Sequence, residues 1–136
     1  MKIDGKALAD KLLTNLTDTV TTLKKADITP TLAVILVGND PGSLSYIRQK
    51  QKAAERIGAK LTFEQLPKTI SPETIRSAIA HYNNDTLTHG LIVQRPVPVA
   101  GVEDILDTVS PAKDVDGFIP QSPFEVPVAL AVIKML

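Results

Sequence analysis

Lys50 is the residue whose placement asks for chemistry. In LSYIRQKQKAAERIG, Leu44 to Gly58, a rotation of about 100° per residue puts Tyr46, Ile47, Ala53, Ala54 and Ile57 within an arc of roughly 120° that should face the core. Arg48, Lys52, Glu55 and Arg56 gather on the opposite side, but Lys50 falls near the middle of the apolar arc. A buried ammonium is costly unless something uses it. Tyr46 stands one helical turn earlier. The competing reading of the pair is a half-buried tyrosine and a lysine whose stem snorkels to the surface.

Two other segments carry groups that can meet a lysine. Gln94 ends the apolar run GLIVQ and precedes Arg95-Pro96-Val97-Pro98; the sequence PAKDVDGF, Pro111 to Phe118, puts Asp114 and Asp116 on one side of an extended piece before Gly117, which permits a sharp turn. Gln94 also suits a cap on a sheet edge, and Asp116 an ordinary turn. A calcium loop is excluded: Asp114, Asp116 and Glu125 hold its first, third and twelfth places, but Phe118 and Ile119 fill the fifth place and the one that needs glycine. GNDPG has neither the spacing nor the lysine of a Walker loop, and there is no G-x-G-x-x-G, so nothing here binds a dinucleotide by itself. His81 and His89 lack metal-ligand spacing and are expected at a helix end and in a loop. PGSLS is not a nucleophile elbow. The expectation is a site without a metal.

The elements that must position these groups alternate. Leu8, Leu12, Leu16, Val20 and Leu23 form one stripe along a helix from about Gly5 to Lys25. TLAVILVG is a short β-branched run suited to a strand covered on both faces. Asn39-Asp40-Pro41-Gly42 turns the chain into the Lys50 helix, KLTFEQL alternates as a second strand, and Ser71-Pro72-Glu73 opens a third helix. GLIV is another buried strand, Gly101 to Val109 reads as helix, Ser110 to Pro120 as extended or looped, and Phe124 to Leu136 as helix again after Pro127. This pattern predicts an α/β fold, a three-layer αβα domain around a mostly parallel sheet. In such sheets ligands bind beyond the carboxyl ends of the strands, so the loops after TLAVILV and GLIV share an edge. The final VALAVIKML has eight apolar residues in nine; either it docks on this domain's own sheet or it is the cut edge of a longer protein.

Composition narrows the partners. In 136 residues, fifteen basic side chains balance fifteen acidic ones, which gives no broad electrostatic reason to bind nucleic acid or an anionic membrane. Cysteine is absent, excluding disulfides and thiolate chemistry. The N-terminus lacks the apolar block of a secretory signal, and no run approaches a membrane span. The expected compartment is the cytoplasm.

Taken together, VGNDPGSLSYIRQKQKAAERIGA, GLIVQRPVP and PAKDVDGF, in that order, resemble the signature segments of the methylenetetrahydrofolate dehydrogenase/methenyltetrahydrofolate cyclohydrolase family, with MKIDGKALA also typical. The resemblance runs from the first residues to about Phe118 and implies the family's N-terminal catalytic domain: 1–120 as a folate-binding catalytic domain, and 121–136 as a connecting helix toward a nucleotide-binding domain outside this chain. It implies that Tyr46 stacks along the folate, that Lys50 is the acid/base group, and that Gln94 hydrogen-bonds Lys50 and keeps it reactive. It further implies that Asp116 binds the pterin's amino-pyrimidine edge, with Val93 and Arg95 flanking the ring. The physical logic agrees, because apolar neighbours destabilise a lysine's charged form and bring proton transfer near neutral pH within reach.

The implied reactions are NADP-linked oxidation of 5,10-methylenetetrahydrofolate and hydrolysis of the 5,10-methenyl form to 10-formyltetrahydrofolate, in one-carbon metabolism serving purine biosynthesis. NADP would be held mainly by the second domain. The parent is expected to be a homodimer and this domain alone a monomer or weak dimer; a folate-binding module without turnover is the alternative. The chain departs from the family where Arg95 and Val97 replace the leucines of Gln-Leu-Pro-Leu-Pro, and where IPQSP leads almost directly to Phe124-Glu125-Val126-Pro127 in place of a longer loop.

Overall fold

The computed structural model describes residues 4–135. The start of MKIDGKALA and the final Leu136 lie outside the described residues. Helix α1 (Gly5–Lys25) is followed by β1 (Thr31–Val37), α2 (Pro41–Ile57), β2 (Lys60–Leu66), α3 (Pro72–Asn84), β3 (Gly90–Val93), α4 (Glu103–Leu106), a 3-10 turn at Pro111–Lys113 and α5 (Pro127–Met135). The three strands form one parallel sheet in the order β2-β1-β3. Alternate residues of the central strand feed two cores. Ala33, Ile35 and Val37 pack with α3 and the α4 region through Ile75, Ile79, Ile105 and Leu106. Val34 and Leu36 pack toward α2 through Ile47, and α1 lies against α2.

This is the αβα layering expected from the sequence. A parallel strand covered on both faces must be apolar at every position, and β1 is buried from Ala33 through Val37. Because the β1–β2 crossover runs on one face and the β2–β3 crossover on the other, the chain changes direction between β1 and β3. That places a crevice beyond their carboxyl ends.

One local expectation fails for an identifiable reason, and two open alternatives are narrowed. The helix expected over residues 101–109 shortens to Glu103–Leu106. Asn83 of α3 takes the chain away from helical bonding there: its amide donates to the Thr108 carbonyl at 2.7 Å, and its oxygen accepts from Ser110 N–H at 2.8 Å. Residues 110–120, expected to be extended or looped, are looped: a 3-10 turn followed by tight turns. Finally, α5 does not dock on the sheet: Pro127 to Lys134 are all exposed, and only Met135 is half-buried.

Candidate functional site

Helix α2 begins where β1 ends. Asp40 accepts from Ser43 N–H at 2.7 Å, Pro41 fixes the first turn, and Gly58 in the left-handed conformation closes the far end. The buried residues on this helix are Ser43 and Ile47. The direction facing the sheet is therefore centred near Ile47, not on Lys50. At about 100° per residue, Lys50 sits roughly 60° off that direction and Tyr46 about 100° off it. Lys50 is accordingly half-buried at the rim, whereas Tyr46 is 68% exposed. The expectation that the whole arc faces the core is corrected for Tyr46.

Gln94 is the first residue past β3. Its backbone N–H still bonds to the Ile35 carbonyl at 2.8 Å, which fixes it beside β1. Its side-chain oxygen accepts from Lys50 Nζ at 3.0 Å while its amide nitrogen donates to the Arg95 carbonyl at 3.2 Å. With both ends engaged, the amide can point only its oxygen at the ammonium.

The 114–119 loop separates its two aspartates, correcting their expected placement on one side. Asp114 is buried, and its carboxylate accepts from Ile119 N–H at 3.0 Å while its carbonyl accepts from Gly117 N–H and Ser122 Oγ, both at 3.0 Å. That is a scaffold role. Asp116 is half-buried toward the site. Burial pushes its carboxyl above the ordinary 3.8, the nearby Lys50 charge pulls it back, Asp114 adds to the rise, and Arg95 opposes it. Asp116 thus shares one electrostatic environment with the cations of α2 and of the β3 loop. Gly117 makes the close turn possible. Its φ is +66°, and a Cβ there would stand 2.6 Å from the Phe124 carbonyl oxygen.

Lys113 anchors the same loop from below, donating to the Tyr82 and Asp85 carbonyls at 2.8 and 2.7 Å. Both are carbonyls at the end of α3, which a lysine suits. Arg95 lies over the Phe118 ring at 4.6 Å. Val93 is buried on the α3 face, and with Arg95, Asp116, Phe118 and Ile119 it lines a small cavity of about 20 Å³. On the other side of Lys50 an apolar groove of about 750 Å³ runs between α1, α2 and the sheet, past Leu16, Leu32, Ile57 and Val115.

The structure therefore brings Lys50, Gln94, Arg95 and Asp116 together, with Val93 beneath them and Tyr46 exposed on α2. Sequence reasoning missed Lys113 and Phe118 as site-building residues, although both lie within PAKDVDGF. His81 is in the last turn of α3, and His89 in the loop before β3 accepts from Thr31 N–H at 3.2 Å. Among the described residues, no group of three His, Asp or Glu side chains is placed to hold a metal ion. No helix among them is long and apolar enough to cross a membrane.

Comparison with known proteins gives one consistent family. Residues 3–116 match the family described as tetrahydrofolate dehydrogenase/cyclohydrolase, catalytic domain. A bifunctional protein FolD from Halalkalibacterium halodurans is 50% identical over 121 residues, covering 88% of this chain and 43% of the relative. The crystal structure of the bifunctional enzyme FolD, a methylenetetrahydrofolate dehydrogenase/cyclohydrolase from Campylobacter jejuni, superposes with a TM-score of 0.91 at 35% identity, over 98% of this chain and 51% of that one. A Trypanosoma brucei methylenetetrahydrofolate dehydrogenase-cyclohydrolase complexed with NADP cofactor and inhibitor aligns at 29% identity with a TM-score of 0.80, over 85% of this chain and 40% of that one. The chain thus spans less than half the length of the curated relative it matches at 43% coverage.

Proposed function

The chain belongs to the tetrahydrofolate dehydrogenase/cyclohydrolase family, of which it is a catalytic domain, and from that premise we propose that it binds a reduced folate at the β1/β3 crevice and hydrolyses 5,10-methenyltetrahydrofolate to 10-formyltetrahydrofolate. The Lys50–Gln94 hydrogen bond carries this reading. Lys50 is the acid/base group. It assists attack of water on the methenyl carbon and moves the proton to the ring nitrogen that departs, while Gln94 holds Nζ at a fixed point through its bond to the Arg95 carbonyl. Asp116 accepts hydrogen bonds from the amino-pyrimidine edge and orients the ring without taking part in proton transfer. Val93 and Arg95 flank the ring, and Tyr46 stacks along the folate's aromatic middle. Its exposed ring is free to do so.

The parent's second reaction is the oxidation of the methylene form with a nicotinamide dinucleotide, NADP in this reading, as hydride acceptor. The described residues do not fit that group. The first βα turn is not glycine-rich, and the helix end that would face a pyrophosphate is already capped by the Asp40 carboxylate. Residues 121–136 would then be the connecting helix toward a nucleotide-binding domain, with residues 1–120 as the folate-binding unit, cytoplasmic and homodimeric in the parent.

A second reading, folate binding without turnover, is favoured by the openness of the crevice around Tyr46, since catalysis of this kind gains from excluding bulk water. One experiment separates the two. The chain is mixed with 5,10-methenyltetrahydrofolate, and binding and loss of the methenyl absorbance are followed for wild type and Lys50→Met. Turnover abolished in the variant with binding kept supports the enzyme; binding without turnover in both supports the module; equal turnover in both removes Lys50 from the mechanism.

A further inference from the structure

Strand β2 ends the sheet with one edge open. The order β2-β1-β3 gives β1 two partners and β2 only one among the described residues. The outer side of β3 is closed by the 111–119 loop, whose Val115 methyls stand 3.0 and 3.2 Å from where a Cβ on Gly90 would lie. Accordingly β3 is buried at every position, whereas none of the seven residues of β2 is buried. Lys60 N–H bonds inward to the Pro30 carbonyl at 2.8 Å, and the Leu66 carbonyl accepts from Gly38 N–H at 2.7 Å. A strand residue points its N–H and C=O to one side and its neighbours point theirs to the other. Leu61, Phe63 and Gln65 therefore present theirs outward, in a stretch with no proline. Such a row is a template for another strand.

We propose that the strand that fits this edge is β2 of a second copy, laid antiparallel about a two-fold axis through Thr62 to make a continuous six-stranded sheet. The side chains select that register. Lys60, Thr62 and Glu64 alternate onto the α3 face, where Leu66 joins the α3 core and Glu64 stands beside the Tyr82 hydroxyl; Leu61 and Phe63 pack on the α2 face. Among the described residues neither Lys60 nor Glu64 joins an ion pair. With the axis at Thr62, Lys60 meets the partner's Glu64 twice over, Leu61 meets the partner's Phe63 twice over, and the two threonines face each other. The backbone agrees: Leu61 and Phe63 fall in hydrogen-bonded pairs, and the charged residues in the non-hydrogen-bonded pairs where side chains come closest. An axis at Phe63 would lose both ion pairs, and one at Glu64 would set two carboxylates together. Zero net charge adds no long-range repulsion between copies. The edge lies across β1 from the β1/β3 crevice, so this inference is independent of the folate reading.

The test follows the monomer–dimer balance of the full chain by sedimentation velocity over a concentration series, beside oxidation of single-cysteine variants in a chain that has no cysteine of its own. Thr62→Cys is expected to give a disulfide-linked dimer, because Cα atoms opposed in a non-hydrogen-bonded pair are about 4.5 Å apart, within disulfide reach. Glu64→Cys should not, because its counterpart would lie four residues along the partner strand, about 14 Å away. Lys60→Glu and Glu64→Lys should each weaken the dimer by roughly tenfold or more, as two attractive cross-strand pairs become repulsive. Combining the two reversals should restore the dimer to within a few-fold of wild type. Thermal melts confirm that each variant folds. A wild type that stays monomeric throughout the series, cross-linking of Glu64→Cys in place of Thr62→Cys, or failure of the combined reversal to rescue overturns the inference. A dimer indifferent to both single reversals would place self-association elsewhere, at the exposed α5 for instance, and overturns it equally.

Discussion

Lys50 Nζ and Gln94 Oε1 stand 3.0 Å apart, a single bond joining the middle of α2 to the residue that follows β3. Gln94 is the one hydrogen-bonding partner of that ammonium among the described residues, and its own amide is fixed by the Arg95 carbonyl. Replacing it with leucine keeps the volume and removes the acceptor. Gln94→Leu is expected to cut methenyl hydrolysis by about a hundredfold, the lower end of what a positioned acid/base group contributes, with folate affinity changed only a few-fold. Rate and affinity measured on the same preparation check this; a wild-type rate would show that Lys50 acts without its partner.

How much of this was legible beforehand differs from residue to residue. TLAVILV and GLIV declare themselves as buried parallel strands because both of their faces must be apolar, and Asp40, Pro41 and Gly58 mark the two ends of α2. Periodicity also singles out Lys50, but it cannot locate the centre of the buried face. That centre depends on where the sheet lies, and with Ser43 and Ile47 as the buried positions Tyr46 turns outward. The two aspartates of PAKDVDGF look equivalent in sequence. Only the closed turn, in which Ile119 N–H finds Asp114, separates scaffold from site. Arg95 and Phe118 are far apart in the chain, so their stacking leaves no local signal at all.

Asp116 links acidity to both stability and binding. Its carboxyl is raised above 3.8, chiefly by burial, so the folded state holds its proton more tightly than the unfolded chain. The stabilising contribution is complete below pH 3.8 and is lost as the pH climbs through the raised value. At neutral pH the half-buried carboxylate is therefore a cost. Asp116→Asn should melt at or above the wild-type temperature at pH 7, with the gap closing as the pH falls below the ordinary carboxylate value, and should lose folate binding throughout. Wild-type binding should weaken on the acid side as Asp116 protonates. A variant less stable than wild type at pH 7 would mean that the carboxylate holds the loop, contrary to the role given to Asp114.

Lys113 tests whether the site loop depends on α3. Its ammonium satisfies the Tyr82 and Asp85 carbonyls at 2.8 and 2.7 Å, and Asp116 lies three residues further on. Lys113→Met keeps the stem and leaves both carbonyls without that donor. The expected cost is about 1–3 kcal/mol in urea unfolding, with folate affinity falling in parallel because the loop loses its anchor. Lost stability with unchanged affinity would show that Gly117 and the Phe124 contact position Asp116 unaided.

Helix α5 makes the opposite kind of prediction. Val128 and Ile133 are 73% and 67% exposed, whereas Ile35 in the centre of the sheet is 0% exposed. If burial governs, the same loss of apolar character must act very differently at the two places. Ile35→Ala should cost about 2–5 kcal/mol through lost transfer energy and a cavity. Val128→Glu combined with Ile133→Glu should move stability by no more than about 0.5 kcal/mol, because neither side chain leaves a core and glutamate is the better helix former. The charged pair should also reduce self-association, since it breaks up an apolar patch facing water. Chemical denaturation read beside sedimentation velocity checks both statements. A double variant destabilised to the level of Ile35→Ala would place α5 against the domain after all.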